Sequence, residues 1–455
     1  MKNPNKQFSS FVKKDNKIGE MVYDPIEGKT FFAVLIDGEF KKSNQIIVGE
    51  NTIYPFPAES QIIKERVVLF PSEAVDYGSE EDLINDIRIF IHKYLEISPF
   101  FEKVSPFYVL FTWIYDKFKE LPYLRAIADY GQGKSRFLKT IGSICYKPMF
   151  TVGATTTAPI FRLISQFKGT LVLDEADYRF SDTNADIVKI LNNGFQAGMS
   201  ILRCADSKNN YDIQAFDVFC PKIVATRNKF ADKALESRFL VEYMDGRLTR
   251  TDLPLNLDDD FDREALEIRN KCLAWRLKNY NIIDPSKIEH DRSIEPRLNQ
   301  IIAPLCSVIK DEQVKSELKE FIKEYNKELI SDRGLSFEAP ILDIIMHLMK
   351  DGEREVTMKE ISDTYNVGIG RSEKELNPRG VAKILRNTFR LNTEKTGEGI
   401  ALNLKSYKKN IARLCSKYGI NCEDVNMVNI VEGSKDEFVK ELEDMGLVKP
   451  DIPSF

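Results

Sequence analysis

The densest chemistry in the sequence lies in Ala128-Asp129-Tyr130-Gly131-Gln132-Gly133-Lys134-Ser135, which matches a phosphate-binding loop except that alanine stands where the pattern begins with glycine. Glycines at 131 and 133 let backbone N–H groups approach an anion closely. Lys134 supplies a charge for β- and γ-phosphate oxygens, and Ser135 offers a hydroxyl to magnesium. Ala128, Gly131, Gln132, Gly133, Lys134, Ser135 and Arg136 form the expected nucleotide-binding set, with ATP and Mg2+ as ligands. Downstream, the apolar run Gly169-Thr170-Leu171-Val172-Leu173 ends in Asp174 and Glu175. These two carboxylates are expected to divide one reaction, Asp174 holding the metal through water and Glu175 polarising the attacking water. The run Lys222 to Thr226 leads into Arg227 and Asn228; Asn228 is the expected holder of the lytic water, with Thr226 the alternative. Arg238 precedes the next apolar run and is expected to act as a finger in a neighbouring subunit's site, a surface ion pair being the alternative.

Such residues need a scaffold that brings them to one place. Leu124 to Ile127 predicts a strand and Arg136 to Cys145 a helix, so the loop sits at a strand-to-helix turn where the helix adds its positive end. From Leu124 to about Met244 short apolar strands alternate with helices, the pattern of an α/β fold with a parallel sheet and crossover helices. Ahead of this core (121–254), residues 1–76 predict a small β-rich module with turns at Asp37-Gly38 and Gly49-Glu50-Asn51. Residues 77–120 predict a helical linker. Ser79 is the expected cap of a helix carrying Leu83, Ile87, Ile91 and Leu95, and a second helix is expected after Pro106. Residues 255–331 predict a mainly helical stretch behind an acidic linker (Asp258, Asp259, Asp260, Asp262). Residues 332–420 form a separate small domain, and 421–455 an acidic tail.

Three further segments complete a pattern: Pro122-Tyr123-Leu124-Arg125 before the loop, Thr157-Ala158-Pro159-Ile160-Phe161-Arg162 on the next helix, and Ile190-Leu191-Asn192-Asn193-Gly194-Phe195 after the acidic strand. With them, residues from about Trp113 to Arg297 resemble the AAA+ ATPases related to minichromosome-maintenance and superfamily 3 helicases, replication proteins of plasmids, viruses and integrated elements. The resemblance implies an AAA+ sheet with a helical lid, ATP hydrolysis, and a homo-oligomeric ring, usually a hexamer, with Asn193, Arg203 and Arg238 near the subunit interface. It also implies a lid arginine, for which Arg297 in Glu295-Pro296-Arg297-Leu298-Asn299-Gln300 is the candidate; a charge at a helix start is the alternative. Ser200 to Cys204 and Tyr211 to Val218 predict two strands joined by a turn-rich segment. In related motors a hairpin there enters the central pore, which makes Lys208 the expected nucleic-acid contact, against a plain edge hairpin with a solvated lysine.

Farther on, Thr357-Met358-Lys359-Glu360 reads as a capping box, and Asn377-Pro378 as a cap with proline at the first helical position. The spacing is that of a helix-turn-helix. On the second helix Val381, Ile384 and Leu385 make the apolar side, while Arg379, Lys383, Arg386 and Arg390 share the other. Leu391 to Leu404 predicts a hairpin with Lys395 near its tip, so a winged helix is expected. Between Gly368 and Tyr418, 12 Lys/Arg stand against four acids, whereas in 421–455 nine acids stand against three lysines. DNA is the partner this placement favours, although a solvated face or a protein dock also accommodates a basic helix.

The whole chain carries a formal charge of -5 with a pI of about 5.7, which excludes a uniformly basic nucleic-acid coat. Seven singly placed cysteines with no CxxC pair exclude a disulfide framework or a zinc ribbon, and no apolar run approaches a membrane span. A cytoplasmic protein without a membrane partner is expected. The function these features favour is a Mg-ATP-dependent oligomeric DNA motor, a replicative helicase or translocase of a mobile genetic element. The alternatives are an ATP-gated DNA-binding initiator or regulator, and a defence ATPase that senses nucleic acid.

Overall fold

β-branched and aromatic residues dominate the first strands of the chain: β1 (Lys6–Phe8), β2 (Phe11–Lys14), β3 (Lys17–Asp24), β4 (Lys29–Ile36), β5 (Glu39–Ser43), β6 (Ile46–Val48) and β7 (Asn51–Tyr54). They pair as β2-β3-β4-β5 and β1-β7-β6. Asp37 and Gly38 both take positive φ between β4 and β5, the two-residue turn whose twist suits a hairpin. The computed structural model describes residues 6–420 apart from 153–154, 175–181, 205–212, 231, 245–249, 289, 292–293, 335–337, 351–353, 369–375 and 398. The expected acidic tail, 421–455, therefore lies outside the described residues.

Three helices follow, α1 (Gln61–Lys64), α2 (Glu80–Tyr94) and α3 (Pro99–Thr112). Ser79 caps α2 through a full capping box with Asp82, and Leu83, Ile87, Ile91 and Leu95 are all buried. The second helix starts earlier than the proline at 106 suggested: Ser98 accepts from the Phe101 N–H and Pro99 takes the first turn, leaving Pro106 inside the helix.

The central elements are β8 (Tyr123–Ile127), α4 (Lys134–Ser143), β9 (Met149–Thr151), α5 (Thr157–Phe167), β10 (Leu171–Leu173), α6 (Asp182–Asn193), the antiparallel pair β11 (Ile201–Cys204) and β12 (Ile213–Phe216), β13 (Lys222–Thr226), α7 (Lys233–Glu236) and β14 (Phe239–Tyr243). Five of the strands form one parallel sheet in the order β14-β8-β13-β10-β9. Every residue of β8 and β13 is buried, as a parallel sheet covered on both faces requires. Then come α8 (Asp259–Asn279), α9 (Pro296–Cys306) and α10 (Glu312–Gly334). The acids expected to form a linker instead start α8. Asp258 caps it by accepting from the Phe261 N–H at 3.2 Å, and Asp259, Asp260 and Asp262 occupy its first turn, where the helix dipole favours negative charge.

The chain divides into two units, Met1–Ile322 and Lys323–Phe455, so the N-terminal strands belong to the same unit as the five-stranded sheet. A buried ionic cluster joins them. Glu20 of β3, 1% exposed, meets Lys147 at 2.7 Å and Arg276 of α8 at 2.7 Å, and Arg276 also reaches Asp116 at 2.8 Å.

The second unit contains α11 (Ala339–Lys350), β15 (Glu355–Thr357), α12 (Met358–Gly368), α13 (Pro378–Ile384) running into a π-turn (Leu385–Phe389), β16 (Glu394–Thr396), β17 (Gly399–Asn403) and α14 (Lys408–Tyr418). Its strands form one antiparallel sheet, β15-β17-β16, beside a core that includes Leu342, Ile361, Val381, Leu385, Leu402 and Ile411. Asn377 accepts from the Gly380 N–H at 2.8 Å with Pro378 at the first helical position, the start the sequence predicts. No described helix of the chain is long and apolar enough to cross a membrane.

Candidate functional site

Because β8, β10 and β13 run parallel side by side, their carboxyl ends open onto one rim. The register pairs Ile127 with Thr226 and Val224 with Leu173, so Ala128 and Arg227 leave the sheet side by side and Asp174 follows a strand that ends two residues short of them. At that rim the Ser135 hydroxyl donates to Asp174 Oδ2 at 2.9 Å, across 39 residues of chain. Gly131 and Gly133 have φ of +75° and +87°, which side-chain-bearing residues rarely adopt. Gly133 also precedes α4 without any side-chain cap, leaving the first N–H groups of the helix for an anion. Ala128 is buried, and its N–H donates to Thr226 O at 3.2 Å, so the alanine replaces the expected glycine without breaking the loop. Lys134 Nζ donates to the Ala128 carbonyl and to that of Asp129 at 2.6 Å, while Gln132 Oε1 accepts from the Asp129 N–H at 3.1 Å. The side chains of Lys134 and Gln132 are thus held by the loop's own backbone.

Arg136 Nη1 and Nη2 donate to the carbonyls of Pro254 and Leu255, each at 2.6 Å, so its charge ties α4 to the chain leading into α8. Pro254 also borders a cavity of about 830 Å³ lined by Arg88, His92, Lys93, Arg250 and Asp258. Of the two water-holding candidates, Asn228 is exposed, whereas Thr226 is 1% exposed and its hydroxyl has no hydrogen-bond partner among the described residues. Buried hydroxyls are usually satisfied, and this one stands at the strand end beside the loop. Glu175 lies outside the described residues.

Arg238 sits at the opposite edge of the sheet. It directly precedes β14, whose Phe239 pairs with Tyr123, the first residue of β8. Its guanidinium donates to Asn192 Oδ1 and, at 2.8 Å, to Ala234 O, and lies 4.3 Å from the Phe195 ring centroid. Burial first, and then the charge of Arg297, lower its pKa from the usual arginine value. Arg297 itself is exposed in the first turn of α9. Asn192 also donates to Asp232 at 2.8 Å, whereas Asn193, the asparagine singled out in the sequence, donates to Lys189 O at 2.9 Å. Asn193 and Arg203 border a cavity of about 310 Å³, and Arg203 lies 5.1 Å from the Phe161 ring. Strands β11 and β12 pair as the expected hairpin; Lys208, between them, lies outside the described residues.

Two contacts near the rim are absent from the expectations. Arg227 stacks on the exposed Tyr130 ring, 3.6 Å from its centroid, linking the end of β13 to the loop. Arg125, fully buried in β8, donates both Nη atoms to Glu236, at 2.7 Å for Nη1, and Glu236 also accepts from the Phe230 N–H. A charged residue inside the run Leu124-Arg125-Ala126-Ile127 was the available signal. Its partner, 111 residues away, was not.

In the second unit Arg379, Lys383, Arg386, Arg390 and Lys395 are all exposed, opposite the buried Val381 and Leu385, with Ile384 half-buried. Arg386 Nε donates back to Ala382 O at 3.2 Å. Lys395 pairs in register with Ile400 on the β16–β17 hairpin.

No protein-family model matches the chain, and no curated protein does. Among solved structures, the A-form apo structure of the NrS-1 C-terminal region matches at 11% identity over 84% of this chain and 96% of that one, with a TM-score of 0.34. A second A-form apo structure of that region matches at 13% identity over 85% and 96%, with a TM-score of 0.33. Values of this size carry no argument about activity.

Proposed function

We propose that the chain is a Mg-ATP-dependent, oligomeric DNA motor of the AAA+ type, a helicase or translocase of a mobile genetic element, whose second unit is a winged helix that meets DNA. The observation that carries this reading is the Ser135–Asp174 contact of 2.9 Å at the rim where the left-handed Gly131 and Gly133 and the start of α4 also converge. The residues fit a magnesium triphosphate: a hydroxyl and a carboxylate side by side suit a hard cation that keeps most of its waters, and uncapped helix N–H groups suit phosphate oxygens.

In this reading Ser135 and Asp174 hold Mg2+, which when bound would neutralise charge on the β- and γ-phosphates. Lys134 exchanges the carbonyls of Ala128 and Asp129 for phosphate oxygens. Glu175 takes a proton from the attacking water as its oxygen bonds to the γ-phosphorus and the bond to the bridging oxygen of ADP breaks. Thr226 or Asn228 orients that water. Arg238 from a neighbouring copy, with Arg297 near it, stabilises the charge on the transferring group. The exposed row Arg379, Lys383, Arg386 and Arg390 supports DNA contact, since cations on a presented helix are what phosphates require.

The test is ATP turnover and strand displacement on a forked duplex. Wild-type protein is expected to hydrolyse ATP with Mg2+ and to separate the strands, Lys134→Ala to lose nucleotide binding, and Glu175→Gln to bind ATP without turnover or displacement. A wild-type protein that neither binds nor cleaves ATP removes the motor reading. Hydrolysis with an ATP-dependent DNA shift but no displacement replaces it with an initiator or regulator.

A further inference from the structure

We propose that the turn joining β2 to β3, with Lys117 beside it, is a nucleic-acid contact of the first unit, where Lys13, Lys14, Lys17 and Lys117 meet the phosphate backbone of DNA. This rests on the reading of the chain as a DNA motor, and it gives a task to the N-terminal strands, which that reading leaves without one. Lys13, Lys14 and Lys17 are exposed and Lys117 is half-buried. The ammonium groups of Lys13 and Lys117, far apart in sequence, lie 5.7 and 5.0 Å from the centroid of one ring, that of Tyr280 at the end of α8. The turn is fastened at the same place, because Asn281 Nδ2 donates to the carbonyl of Asn16. The cations are thus carried on an anchored turn.

The other lysines of the β2-β3-β4-β5 sheet are each balanced by an acid. Lys42 meets Asp24 at 2.8 Å, Lys41 meets Glu39 at 3.3 Å and Lys29 meets Glu27 at 3.7 Å. Among the described residues, none of the four ammonium groups at the turn has a carboxylate partner. Glu20 and Asp116, the buried acids of the cluster that Tyr280 joins, are engaged by Lys147 and Arg276. Asp15, exposed in the turn, leaves four cations against one carboxylate.

The register makes this arrangement unfavourable for the fold alone. Lys14 stands directly opposite Lys17 across the β2–β3 pair, and like charges in that position repel. An anion bound beside them turns the repulsion into attraction, and a polyanion adds the release of its own counterions. The ring that Lys13 and Lys117 share is buried, so the patch presents charge and no stacking surface for a base. Backbone phosphates are the part of a nucleic acid that such point charges suit, and the contact is expected to be independent of sequence.

The experiment is fluorescence anisotropy of a mixed-sequence forked duplex with the full-length protein over a salt series. The combined variant Lys13→Ala, Lys14→Ala, Lys17→Ala and Lys117→Ala should flatten the slope of log affinity against log salt by up to about 3.6, from ~0.9 per contact. Lys14→Ala with Lys17→Ala, which leaves both cations over the Tyr280 ring in place, should flatten it by up to about 1.8. Replacing all four lysines by arginine should keep the wild-type slope; an equal fall in the arginine and alanine variants assigns the effect to packing and overturns the charge contact. A wild-type slope in both alanine variants, beside a flattened slope when Arg379, Lys383, Arg386 and Arg390 are replaced by alanine, overturns the contact at the turn and leaves the α13 reading standing. A wild-type protein that does not bind the fork overturns both.

Discussion

Arg125 stands two residues before the end of the strand that delivers the phosphate loop, with none of its surface exposed, and Glu236 neutralises it. A cation taken out of water at that depth is held by its partner's full charge; breaking such a pair on one side typically costs ~3–5 kcal/mol, whereas replacing both by apolar groups is often close to neutral. Glu236→Gln is therefore expected to lower stability by about that much in urea unfolding, and Arg125→Met with Glu236→Leu to recover most of it. Equal losses in the single and double variants would mean that the pair acts only through packing against Phe230 and Phe239, whose rings lie 5.1 and 4.7 Å from the guanidinium. At this scale the loop, Ser135 and Asp174 were legible, because their chemistry depends on residue type and on strand ends that a period of two reveals. Arg125 was visible as an oddity in an apolar run, but its meaning depended on a partner distant in sequence. That Asn192 is the residue meeting Arg238 was not legible for a related reason: adjacent positions on a helix differ by about 100° in direction, and composition does not say which one faces Arg238.

Element ends repeat the lesson. The acids at 258–262 look like a linker in sequence, yet Asp258 caps α8 and the rest lie in its first turn; the cap could be read from sequence, but the choice between linker and helix start needed the apolar face buried behind it. What α8 then does was not legible. Through Arg276 it fastens β3 and the turn at Asp116 into one cluster, with Tyr146 donating to Glu20 at 2.9 Å and Tyr280 to Asp116 at 3.1 Å. Burial opposes the Arg276 charge, but Asp116 and Glu20 overcome it and hold the guanidinium well above its usual pKa. Burial likewise opposes the Asp116 carboxylate, and Arg276 overcomes it, leaving its pKa below the ordinary value. A carboxylate lowered in the folded state stabilises fully above its unfolded pKa of about 3.9 and loses that contribution as pH falls through the folded value. Arg276→Met should remove Asp116's share of the acid-end pH dependence and cost about 3–5 kcal/mol at neutral pH, read from urea midpoints between about pH 6 and about pH 3. A variant with the wild-type acid dependence would show that Arg276 does not set the Asp116 titration.

Across the whole first unit, the five-stranded sheet separates two sets of functional candidates by its own length. Lys134 follows the carboxyl end of β8, and Arg238 precedes the amino end of β14, which pairs with β8 in parallel from Tyr123 to Ile127. Five residues of strand at about 3.3 Å each keep them ~16 Å apart, beyond the reach of an arginine toward its own loop. The sequence shows this polarity, because the position of each residue relative to its strand is local information. It does not show the copy that would bring the two edges together. If Arg238 acts across a subunit boundary, Arg238→Ala retains a working loop and Lys134→Ala retains a working finger. Random equal mixing then pairs an intact loop with an intact finger at one boundary in four. Since a finger in trans contributes ~10³ in turnover, the mixture should reach up to about a quarter of the wild-type ATPase rate while each variant alone stays near background. Mixed assemblies that remain intact by light scattering yet hydrolyse no faster than the average of the separate variants would confine Arg238 to holding Asn192 and the end of α6 within its own chain.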